Sequence, residues 1–253
     1  MVSLNLKIKT IEGWFLINLK KQYIRQNLIK SIEIMKKLII LILIFPGLVN
    51  AQLFGSGKVI TREFTLKDFD KVNIEDFDGQ VEIEIGKPFA IKIEIDENLE
   101  PRLRVSKDNS ENQLNIFLEG NKNGRLYLEK TRIKMRISMP EVSVISHRGN
   151  TNMHVHGIAG RYFRLETTGN GDVFLSGSID ELDIKKSGNG GVKAEKLISK
   201  TAKVKSYGNG NVTVNSQISL KANGTGNCSI MQTGPGKIDP MSGVIGNGDV
   251  RKI

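Results

Sequence analysis

Gly169-Asn170-Gly171-Asp172-Val173 recurs as Gly188-Asn189-Gly190-Gly191-Val192, as Gly208-Asn209-Gly210-Asn211-Val212 and as Gly246-Asn247-Gly248-Asp249-Val250. Gly224-Thr225-Gly226-Asn227-Cys228 reads as a further copy, and Gly149-Asn150-Thr151-Asn152-Met153 as a degenerate one. Successive first glycines lie 20, 19, 20, 16 and 22 residues apart. The flanks repeat as well. Four residues before each glycine stand Leu165, Ile184, Val204 and Leu220, and six before stand Phe163, Leu182, Ala202 and Ile218. Two residues beyond the Val or Cys stand Leu175, Ala194, Val214 and Ile230. Each unit is thus a short alternating strand, a Gly-x-Gly turn and a second strand. No such unit can bury its apolar side chains alone, whereas stacked units share one core. The pattern predicts an all-β fold, a right-handed β-helix-like solenoid of about twenty-residue coils over 146–253.

The turn residues Gly169, Asn170, Gly171, Gly188, Asn189, Gly190, Gly208, Asn209, Gly210, Gly224, Gly226, Gly246, Asn247 and Gly248 are expected to be structural. Glycine accepts positive φ without steric cost, and Asn tolerates it better than most side chains. Stacked Asn side chains can bond amide to amide, forming a ladder.

Residues 52–145 read as an N-terminal strand-rich region of sandwich- or solenoid-like character. Val81, Ile83 and Ile85 alternate with Glu82 and Glu84, and Ile91, Ile93 and Ile95 with Lys92, Glu94 and Asp96. Gly86-Lys87-Pro88-Phe89 between them supplies turn chemistry, so the two runs are expected to pair as a hairpin. Phe77-Asp78-Gly79-Gln80-Val81 reads as an earlier, diverged copy of the turn.

Met35-Lys36-Lys37, the apolar run Leu38–Phe45 and the small-residue stretch ending at Ala51 have the order of a signal peptide over 35–51. Residues 1–34 then read as a start-site error or a long n-region. The leader also corrects the charge. Residues 1–51 hold eight of the 37 Lys and Arg and two of the 27 Asp and Glu, leaving 29 and 25, a net of +4. An exported chain of such mild charge is a poor nucleic-acid binder. Once the signal is cleaved, nothing reads as an integral membrane segment.

One cysteine excludes a disulfide framework, and Cys228, read at a position where sister repeats carry Val, is expected to be a small buried hydrophobe. A calcium ladder needs an acid in each turn, yet the fourth turn position holds Asp172, Gly191, Asn211, Asn227 and Asp249. A phosphate loop needs a helix after the glycines, and strands follow here. His147, His154 and His156 read as rim histidines, and Glu82 with Glu84 as a solvated strand face rather than catalytic acids. No cofactor and no enzyme activity are expected. The alternative, a carbohydrate-active β-helix enzyme, has only the isolated Asp172 and Asp249 to offer.

Residues 185–221 carry eight Lys and one Glu. Lys185, Lys186, Lys193, Lys203 and Lys205 form the candidate ligand face, of a kind suited to acidic glycan or envelope material. A self-associating envelope scaffold, built by stacked coil edges, is a further alternative.

The leader, the alternating strands and the Gly-x-Gly-[Asp/Asn]-Val units together resemble the bacterial head-GIN-domain family, named for auto-transporter adhesins and for a domain of unknown function. The resemblance spans residues 58–253 and is closest at 169–173, 188–192, 208–212 and 246–250. It implies an exported, all-β, β-helical protein of the bacterial envelope (periplasmic, outer-surface or secreted) and brings no catalytic residues.

Overall fold

The computed structural model describes residues 20–22, 25–33, 35–36, 52–120 and 127–253. The chain divides into two units, 1–50 and 51–253. In the first, the described residues are helical and exposed. Most of the expected leader, residues 37–51, lies outside the described residues. Among those described, no helix is long and apolar enough to cross a membrane.

The second unit is a β-solenoid of about five turns. Its body consists of four long strands, Asn152–Gly169, Val173–Gly188, Val192–Asn209 and Val212–Asn227, each wrapping most of a coil. They pair in parallel, coil on coil. Short strands Ile230–Gln232, Lys237–Ile238, Gly243–Gly246 and Val250–Lys252 continue the stack. At the other end, Val144–Gly149 lies between Lys71–Phe77 and the first long strand, and Gln80–Ile85 pairs with Asn152–His156. The stack therefore crosses position 145 without a break, and Phe77–Val81 sits where later coils have their Gly-Asn-Gly corner. Antiparallel strands Val59–Phe64, Ala90–Asp96 and Leu103–Asp108 flank that end.

The expected hairpin does not form. Strand Lys134–Met139 inserts between its two arms, pairing Val81 with Met135 and Ile83 with Ile137 on one side, and Ile93 with Met135 and Ile91 with Ile137 on the other. Gly86, at φ +84°, donates its N–H to the Met139 carbonyl, so the turn closes over the inserted strand rather than between its own arms. Alternation fixes which residues point inward but leaves every alternating strand an equally good neighbour.

Register places one residue of each kind above the next. Met153, Val173, Val192, Val212 and Ile230 form one column of the interior, and Leu165, Ile184, Val204 and Ala222 another. All are fully buried. Burial of each larger side chain contributes roughly 1.5–3 kcal/mol. A second kind of column is polar: His147, Thr167, Lys186 and Ser206 stack in register and are all buried.

Candidate functional site

The turns form one corner of the solenoid, and their chemistry closes on itself. Asn170 donates its amide to Asn150 (2.7 Å), Asn189 to Asn170 (2.8 Å), Asn209 to Asn189 (2.7 Å) and Asn247 to Asn227 (3.0 Å). A parallel ladder runs two residues on. The side-chain oxygens of Asn152, Asp172 and Asn211 accept the backbone N–H groups of Asp172, Gly191 and Ser229 in the next coil. The glycines are needed because the coils touch here: a Cβ on Gly169 (φ +141°) would lie 1.8 Å from the Gly149 carbonyl oxygen.

One repeat is registered differently from its sequence reading. Gly208 pairs with Gly226 and Asn209 with Asn227, two positions later than an alignment on Gly224. The corner asparagines are then Asn150, Asn170, Asn189, Asn209, Asn227 and Asn247, one per coil, and the short coil is 18 residues. Gly224 is not a turn residue: it stacks on Ser206, beneath Val244, and is buried. Cys228 takes the place of the second glycine, not of Val, which Ile230 fills opposite Val212. Cys228 is buried, as expected, with its sulfur 3.8 Å from the Ser206 carbonyl. Ile218, expected inside, is 59% exposed because Leu220 takes the position next to Ala202. The lost residues are absorbed where the Val192–Asn209 strand shifts register between Ala194 and Ile198 and between Ser199 and Thr201.

The five candidate lysines divide three ways. Lys185, Lys203 and Lys205 share one exposed face. Lys193 lies beyond the corner on another face, its ammonium 2.9 Å from Asp172 and 4.5 Å from the ring centre of Phe174. Lys186 is not on the surface at all; it is 1% exposed. Adjacent strand residues point to opposite sides, so Lys185 and Lys186 cannot share a face. Its ammonium donates to the carbonyls of Gly188 (2.9 Å), Gly210 (3.3 Å) and Asn209, and burial pushes its pKa below the ordinary lysine value.

On the lysine face, register makes a grid. Lys185 pairs with Lys205, Lys203 with Lys221, and the two columns are two residues apart along the strands. Neighbouring coils are about 4.8 Å apart. Among the described residues none of these four lysines makes an ion pair, whereas Lys193 pairs with Asp172 and Lys200 with Asp180. Alongside the grid runs a shallow groove of about 380 Å³. One wall is the column Tyr162, Glu181, Thr201 and Ser219; the other is Asp183, Lys203 and Lys221, with Asp239 at the foot. Burial and the Asp183 carboxylate push the Tyr162 phenol pKa up. Sequence reasoning missed the groove, although its first wall stands seven residues before each corner glycine and its second five before. Lys221, which the register stacks on Lys203, was not among the candidate ligand-face lysines.

The remaining candidates stay apart. Glu82 lies beside His154 and Glu84 beside His156, but Glu82 faces Arg136 (3.5 Å), and His154 stacks on Phe174 at 4.4 Å. His147 is not a rim residue. It is buried, its Nδ1 3.2 Å from the Thr167 hydroxyl, and burial lowers its pKa to about 4. Among the described residues no three His, Cys, Asp or Glu side chains gather to hold a metal ion. Asp172 and Asp249 stand in one column but four coils apart, about 19 Å. Partial burial pushes the Asp172 pKa up, but the Gly191 N–H and the Lys193 ammonium outweigh it and hold it below the usual range. The Asp249 pKa is lowered mainly by Arg251.

The model of the family described as "Putative auto-transporter adhesin, head GIN domain" matches residues 68–235, from just after strand Val59–Phe64 into the coil between Asn227 and Asn247. The chain belongs to this head GIN domain family. A solved structure named a "putative adhesin", from Bacteroides fragilis NCTC 9343, is 22% identical, with a TM-score of 0.57, and the match covers 79% of this chain and 100% of that one. A "putative lipid binding protein" from Parabacteroides distasonis ATCC 8503 is 20% identical, with a TM-score of 0.52, and the match covers 80% of this chain and 99% of that one. At these identities the likeness establishes this head GIN domain's fold. No curated protein matches the chain in sequence.

Proposed function

We propose that this head GIN domain is an exported, non-enzymatic binding module of the bacterial envelope, and that its ligand is an acidic glycan held on the lysine face. The observation that carries the reading is the grid of Lys185, Lys203, Lys205 and Lys221. Among the described residues none of these four exposed ammonium groups is in an ion pair; Lys185 and Lys205, and Lys203 and Lys221, repel each other across adjacent coils, and an anionic ligand relieves that repulsion. The family name and the "putative adhesin" relative agree with a binding role at the cell surface. The candidate carboxylates Asp172 and Asp249 are separated and already engaged, which supports a role without catalysis.

The test is a glycan array probed with the purified protein, with and without calcium, beside a K185E/K203E/K205E variant. The expected outcome is selective retention of acidic glycans that the variant loses, with the folding midpoint moved by less than about 0.5 kcal/mol because the changes are confined to exposed positions. Equal binding by both proteins would remove the lysine face from the reading. Lys186 is kept in the variant, since reversing a buried charge would disturb the core.

A further inference from the structure

We infer that the groove takes a short linear glycan laid along the solenoid axis, with two adjacent acidic sugars over Lys203 and Lys221 and uncharged sugars at both ends. This rests on the binding reading above and adds to it a direction, a length and a charge pattern. Both walls are columns that climb from coil to coil, so the groove runs across the strands and repeats at the strand spacing of about 4.8 Å. A sugar ring in an extended chain advances by a comparable length, so successive rings meet successive coils.

Charge along the groove is not uniform. Glu181 and Asp183 stand at one end, with Arg164 stacked beyond Asp183 and paired to Glu166; Lys203 and Lys221 are in the middle, and Asp239 is at the foot, with Lys237 beneath Ser219 on the opposite wall. Asp183 is turned toward Tyr162, whereas Glu181 makes no ion pair among the described residues. A sugar carboxylate or phosphate beside Glu181 or Asp239 meets like charge; a sugar hydroxyl there donates a hydrogen bond to a carboxylate, the stronger kind of neutral-to-ion bond. The hydroxyls of Thr201 and Ser219 both donate and accept, matching sugar hydroxyls along the central wall. Tyr162, 42% exposed, offers a ring against which an end sugar can lie. Glu181 and Asp239 therefore select: they turn a basic patch that would take any polyanion into one that rejects uniformly charged chains, nucleic acid among them.

Two probes decide the matter by calorimetric titration: tetragalacturonate, and the same tetramer methyl-esterified on its two end residues. The end-esterified probe is expected to bind on the order of tenfold more tightly, the worth of about one charged contact. The E181Q/D239N variant should narrow that gap by binding the fully charged tetramer better. The K203E/K221E variant should lose both probes while retaining the wild-type circular dichroism and melting curve. Equal affinity for the two probes, an unchanged preference in E181Q/D239N, or no binding of either probe would each overturn the groove assignment. The lysine-face reading is judged separately, by the array.

Discussion

The Gly-Asn-Gly corner and the lysine face are built by the same device, one residue per coil stacked on its equivalents, yet they end in opposite states. At the corner the stacked groups satisfy each other. An Asn amide is both donor and acceptor, so a column of identical side chains closes its own hydrogen bonds. On the lysine face the stacked group is an ammonium, a donor only, so where Lys185 meets Lys205 and Lys203 meets Lys221 the two neighbours cannot satisfy each other. Repetition therefore produces structure where the residue complements itself and an open surface where it does not. Conspicuous motifs in a solenoid thus mark its scaffold, and the function-bearing positions are those where stacking leaves a chemical demand unmet.

Three perturbations would break or sharpen that contrast. The largest expected effect is at the corner backbone. G169A drives a Cβ into the Gly149 carbonyl at a residue held at φ +141°, and should cost more than about 3 kcal/mol in urea unfolding. G243A, with open space around it, should be near neutral under the same measurement. Equal effects would show that the corner coils do not touch as described.

The second concerns the interior polar column. His147 has its folded pKa lowered from 6.5 to about 4 by burial, so the native state favours neutral imidazole. Its contribution is full above pH 6.5 and is lost as pH falls from there toward 4, a change of about 3 kcal/mol at about 1.4 kcal/mol per pH unit. Urea midpoints measured between pH 7.5 and 4 should fall over that window, and H147L should flatten the fall. A wild-type profile flat to pH 4 would contradict the burial. Lys186, the other buried base of the column, has its pKa lowered from the lysine value by burial.

The smallest effect is on the ladder itself. N189A removes one bond to Asn170 and one from Asn209, both exposed to water that can replace them, and should cost about 1 kcal/mol in thermal unfolding. A loss several times larger would mean that the ladder, more than the glycines, holds the coils in register.

Much of this was legible because a repeat states its geometry many times over. Phe163, Leu165, Leu182, Ile184, Val204 and Val214 were placed inside from spacing alone, and the Asn ladder followed from stacking chemistry. The misread coil shows the limit. Gly224-Thr225-Gly226-Asn227 offers two first glycines, and only the Asn column and the bulge after Ala194 select Gly226. Lys186 shows another: a run of lysines reads as a surface until the corner fixes which parity points inward.

The amino-acid sequence by itself determined that this chain winds into stacked coils with Gly-Asn-Gly corners, because periodic spacing and glycine sterics are local facts written in each unit. Tertiary structure alone decided that Lys134–Met139 divides the expected hairpin, that Lys186 is caged inside, and that Tyr162, Glu181, Lys203, Lys221 and Asp239 border one groove. Those outcomes depend on which strand lies beside which, and neighbour choice among strands of the same alternation is set by the packing of the whole stack.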